Sequence, residues 1–161
     1  MNTATASMSL GTRGNIFLPA IVGGCAAAAL DAESAFYAFG WPMPKGIAAG
    51  LLGASARQGG AGTWILGLAL HFSILIVAAA LYGVASWRWT FMRKYFLLCG
   101  VYYGISIYLF MNLVVVPLSA FPFSFAPYTV SGLINGMSMH VLLVGLPISL
   151  SYRVLGRESA P

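Results

Sequence analysis

Between Gly62 and Tyr82 the chain reads GTWILGLALHFSILIVAAALY, an apolar run broken by one histidine, His71. About twenty such residues form a helix about 30 Å long, the thickness of a bilayer's hydrocarbon core. Few folds accommodate such a run, because backbone polar groups in lipid must be satisfied within helices or closed barrels. Three further runs resemble it, and together they place spans at residues 16–40, 62–86, 95–116 and 130–152.

Composition supports the same class. The 161 residues are 60% hydrophobic and 7% charged, where a soluble domain carries about 25% charged residues. The expected fold is all-α: a polytopic membrane protein with four transmembrane helices in a single domain, residues 16–152. A lead of residues 1–15, rich in Ser, Thr and Ala, precedes it, and a tail of residues 153–161 follows. Val22-Gly23-Gly24-Cys25 resembles a lipoprotein cleavage box. The apolar run before it is only about seven residues, at the bottom of the range for a signal peptide, so the segment reads as a retained span.

Trp41-Pro42-Met43-Pro44-Lys45 ends the first span with interfacial and helix-stopping residues. Gly46–Arg57 is apolar but too short to cross, which predicts one short interfacial or re-entrant helix. Trp64 and Trp87 mark the two interfaces of the second span, about 34 Å apart along a helix. Pro117 is expected to end the third span, and Leu118–Tyr128, with its prolines and aromatics, to lie in the interface. Arg13, Arg88, Arg93, Lys94, Arg153 and Arg157 fall on one side, against Lys45 and Arg57 on the other. The positive-inside rule then predicts both termini inside. The net charge of +5 is thus spent on orientation, which removes nucleic acid as a partner. Cys25 and Cys99 lie within spans and read as packing residues.

Small residues let membrane helices approach closely. Gly24, Gly67, Gly100, Gly104 and Gly136 are the candidate packing positions, with Gly67 and Gly136 each one turn before a histidine. These two either pack against a neighbouring helix or leave room beside the imidazole for a ligand. Counted at 1.5 Å per residue, Asp31, His71, Tyr108 and His140 all lie about 12–15 Å below the outer boundary. One polar group per helix at one depth predicts a shared interior layer, since an unpaired charge facing lipid costs at least about 2.5–3.5 kcal/mol. Glu33 lies about 200° round the helix from Asp31. It is expected to pair with Lys45 or Arg57, or to be protonated. Pro147 is expected to kink the fourth span and free the carbonyl of Leu143.

The layer admits several chemistries. As a hydrogen-bonded clasp it would fix the register of a packing or accessory subunit, and this is the reading the sequence favours. It would alternatively bind or relay a proton or small cation. Asp31, His71 and His140 also match the composition of a two-histidine, one-carboxylate metal site. His71 and His140 would suit bis-histidine haem b. No cofactor is required by any local motif. Nucleophile elbow, P-loop and dinucleotide fingerprints are absent from the sequence, so no enzyme is expected. The expected partners are the lipid bilayer and further copies or a larger membrane complex.

His71-Phe72-Ser73-Ile74 with Tyr82, the basic turn, the Gly-rich third span ending at Pro117 and Gly136-x-x-x-His140 resemble the YagU-type family of small bacterial inner-membrane proteins. The resemblance covers the chain from about Leu70 onward. It implies a multi-helix protein of the inner membrane and brings no functional residues with it.

Overall fold

A computed structural model describes residues 16–122 and 129–156. The lead, the tail from Arg157 and residues 123–128 of the aromatic-proline loop lie outside the described residues. Four helices are long and apolar enough to cross a membrane: Phe17–Phe39, Ala61–Arg88, Phe96–Leu118 and Val130–Leu155. The described residues contain no strand. The chain is an all-α membrane protein.

The first span is α1 (Phe17–Phe39), which stops at Gly40. There φ is +69°, a left-handed conformation that glycine adopts without strain. The short helix α2 (Met43–Leu52) follows, then a 3-10 turn, Gly53–Gln58. This corrects the expected range of 46–57. Pro42 caps α2 and Pro44 sits in its first turn, where a missing N–H costs nothing, so the two prolines that appeared to stop one helix start the next.

The second span is α3 (Ala61–Arg88). A single turn, α4 (Phe91–Lys94), leads into α5 (Phe96–Phe110). The third span does not end at Pro117. It passes through a π turn, Met111–Val115, into α6 (Val116–Leu118). The fourth is built the same way, with α7 (Val130–His140), a π turn at Val141–Gly145 and α8 (Leu146–Leu155). Thr129 caps α7 by accepting the Gly132 N–H at 3.1 Å.

Both π turns finish two residues before a proline, with the Val116 N–H donating to Met111 O and the Leu146 N–H to Val141 O. A proline in an α-helix clashes with the carbonyl four residues back and leaves it unpaired. Widening the helix by one residue relieves the clash without a sharp break. The expected kink at Pro147 thus takes the form of a π turn.

The spans pack in a definite order. α1 lies against α3 and α8, and α5 lies against α8, its π turn and α7. A close approach joins Gly100 and Gly104 of α5 to the fourth span at Gly145, where a Cβ on Gly104 or Gly145 would meet the opposing backbone and one on Gly100 the Ser149 side chain. Tyr152, Tyr82, Ile148, Val144, Leu75 and the alanines of α1 form the core, and it fills the end of the bundle that carries Arg88, Arg93 and Arg153. At the other end the spans are less filled, and α7 buries no residue. Ile65, Val77, Leu81, Leu97, Leu113 and Leu142 point outward, as lipid-facing side chains do.

Candidate functional site

The less filled end holds a cavity of about 1180 Å³. Asp31, His71, Tyr108 and His140 all line it, one from each span, together with Asn112 and the α2 residues Met43, Lys45, Ile47 and Leu51. Two close pairs make up the polar layer.

In the first pair His71, 7% exposed, faces α1. Its Nε2 lies 3.1 Å from the carbonyl oxygen of Ala28. A carbonyl only accepts, so Nε2 carries the proton and donates it there. The Asp31 carboxylate stands 3.7 Å from the same nitrogen, beside the bond rather than in it. This contact ties α1 to α3 in mid-span.

The second pair joins the third and fourth spans. Tyr108 meets the His140 ring edge-on, with centroids 5.2 Å apart. His140 Nδ1 donates to the Gly136 carbonyl at 3.0 Å, which leaves Nε2 as its acceptor nitrogen. A ligand would therefore meet Nδ1 of His71 and Nε2 of His140. Among the described residues no three His, Cys, Asp or Glu side chains come together as a metal-holding group. The three expected ligands share a wall without converging on one point.

The glycines beside the histidines serve packing. A Cβ on Gly67 would collide with the Pro44 backbone, and one on Gly136 with the Tyr108 ring. Gly24 receives Ile76, Gly100 receives Ser149 and Gly104 receives Val141 in the same way. Through Gly67, the start of α2 is set about 9 Å along α3 from its first residue, so α2 reaches into the bundle. Its far end is held by Gly50, whose carbonyl accepts the Ala120 N–H at 2.9 Å. Above α2, Trp41 and Trp64 stack at 4.8 Å, and the Trp64 indole donates to Trp41 O at 3.0 Å.

The expected pairing of Glu33 with Lys45 or Arg57 does not form. Glu33 lies on the exposed face of α1, on the far side from Asp31, and among the described residues neither Lys45 nor Arg57 comes within ion-pair distance of a carboxylate. Lys45 and Arg57 line the cavity instead. In the sequence both stand simply as charges on the side opposite the basic turn. The signal that would have found them is the pair of prolines starting α2, which carries Lys45 inward. Comparison of the chain with protein-family models, with curated proteins and with solved structures finds no match.

Proposed function

We propose that this chain is an inner-membrane protein, N-terminus and C-terminus inside, that binds an apolar-bodied small molecule within the bilayer. The observation carrying this reading is the cavity. Ligand sites run from about 300 to 1,000 Å³, are mostly apolar and carry a few convergent polar groups. The volume here reaches about 1180 Å³, and apolar side chains such as Phe39, Leu70, Ile74 and Val115 supply most of the wall. A layer serving only as a clasp has no need of such a space. In this reading His71 with Ala28 is the clasp, while Tyr108, His140 and the Asp31 carboxylate face the occupant.

Leu70→Trp tests it by filling the cavity from a wall position. Native mass spectrometry of protein extracted in mild detergent is expected to show a lipid-like adduct on the wild type. The adduct should fall at least about tenfold in occupancy in the variant, with thermal stability retained. Equal adduct on both proteins, or none on either after added amphiphile, sinks the proposal.

A second reading, passage of a proton or small cation through the layer, draws on the Asp31–His71 pair at the cavity wall. Its test is flux into sealed vesicles. Loss on Asp31→Asn with Leu70→Trp also inactive would favour it, and absence of flux in the wild type would remove it.

A further inference from the structure

We infer that the occupant is an amphiphile with an anionic head, a phosphate or carboxylate, held by Lys45 and Arg57 with its chain in the apolar part of the cavity. The inference rests on the reading of the cavity as a ligand site and names the class of ligand. Three observations carry it.

The first is an unbalanced charge. Lys45 and Arg57 are the two cations on the cavity wall, and Asp31 is the one carboxylate. Neither cation makes an ion pair among the described residues, so with Asp31 counted against them the wall keeps one positive charge in excess. Arg57 is exposed at the cavity rim, with its guanidinium carbon 6.0 Å from the centre of the Phe121 ring.

The second is position. Pro44, the residue before Lys45, abuts Gly67, one helical turn from His71. Lys45 is partly buried, one residue beyond the Pro44 backbone that packs on Gly67. A cation at such depth is costly unless something supplies the opposite charge. The acid that sequence order offered, Glu33, is on another face of α1.

The third is the shape of the polarity. The two cations lie on the α2 and 3-10 segments, while Leu70, Ile74, Met111 and Val115 line the cavity from α3 and the third span beside the polar layer of Asp31, Tyr108 and His140. A charged head and an apolar body find matching surfaces at the same time. A guanidinium presents paired donors to a phosphate or carboxylate, and an ammonium adds a compact charge beside it.

The experiment measures binding of four ligands to the full chain in detergent by thermal shift and native mass spectrometry. Phosphatidylglycerol and a long-chain fatty acid carry the anion; phosphatidylcholine and a long-chain alcohol of matched length do not. The anionic members are expected to bind about tenfold or more tightly, two cations each contributing on the scale of a basic residue near anionic lipid. Lys45→Gln with Arg57→Gln should abolish that preference, and Lys45→Arg with Arg57→Lys should keep it. Equal binding of charged and neutral members to the wild type, or a preference that survives the Gln pair, overturns the inference. Leu70→Trp separates the two levels: it should remove binding of all four ligands, and if it removes none the cavity reading itself falls. The ranking of phosphatidylglycerol against the fatty acid says whether the head is a bilayer phosphate or a free carboxylate.

Discussion

Tyr82 buries a hydroxyl that has no hydrogen-bond partner among the described residues, in a side chain 1% exposed. Its neighbours avoid that cost. Tyr103 donates to Ala78 O at 2.6 Å and Tyr152 to Ile16 O at 3.2 Å. An unsatisfied buried hydroxyl costs about 1–3 kcal/mol, whereas a satisfied one contributes about 1 kcal/mol. What keeps Tyr82 in place is its ring, edge-on to Tyr103 at 5.0 Å and 5.6 Å from Tyr152. Tyr82→Phe keeps the ring and removes the orphan, so it is expected to raise stability by about 1 kcal/mol. Tyr103→Phe should lower it by about the same amount. Denaturant unfolding in mixed micelles reads both, and a destabilising Tyr82→Phe would show that the hydroxyl is paired after all. At this scale the sequence was most informative where a residue clashed with its surroundings. His71 stands out within an apolar run, and so does Asp31. Tyr82 and Lys45 do not, because each is ordinary for its place in the sequence and acquires its role only from what packs beside it.

The two π turns are the elements that shape the site. His140 caps one of them, and Met111 and Asn112 of the other line the cavity. Hydropathy cannot distinguish a π turn from an α turn, since both are equally apolar. Only the prolines at 117 and 147 hinted at a disturbance, and a proline alone reads equally well as a stop or a kink. The glycine stripe of the third span was legible for the opposite reason. Gly100, Gly104 and Tyr108 recur at four-residue spacing, and they are the buried residues of α5. A π turn is in effect one residue inserted into an α-helix, so removing one should restore regular helix and keep both flanks in register. Deleting Leu142, which is exposed, together with Pro147→Ala is expected to move the thermal midpoint by less than about 4 °C, about 1 kcal/mol for a chain of this size. Deleting the equally exposed Tyr102 from regular α5 rotates everything beyond it by about 100°. That swings Gly104 away from Val141 and Tyr108 away from Gly136, and monodisperse protein should no longer be recovered. If both deletions are equally damaging, the π turn is not acting as an insertion.

Across the whole molecule, packing is concentrated at one end. Tyrosines and Ile148 fill the bundle near Arg88 and Arg93, while the half beside α2 holds the cavity and only a small alanine core of Ala48, Ala49 and Ala56 among the described residues. Counting depth along each span brought Asp31, His71, Tyr108 and His140 to one level, and the structure places all four on one cavity. Depth could not show the cavity itself, which is walled by α2 as well as by residues of all four spans. Which side of the membrane the hollow half faces decides what can reach Lys45 and Arg57. In the orientation proposed from the positive-inside rule, the basic turn lies inside and the 3-10 turn Gly53–Gln58 outside. Ser55 and Thr90 are exposed on these two connections, and Cys25 and Cys99 are free thiols within spans. In a background of Cys25→Ala and Cys99→Ala, Ser55→Cys should react almost completely with a membrane-impermeant maleimide on intact cells. Thr90→Cys should react only after the cells are permeabilised. The reverse pattern would turn the chain over, opening the cavity beside Lys45 and Arg57 to the cytoplasmic leaflet. Its anionic occupant would then have to come from the inner leaflet, and the basic turn would face outward against the charge bias that orients membrane helices.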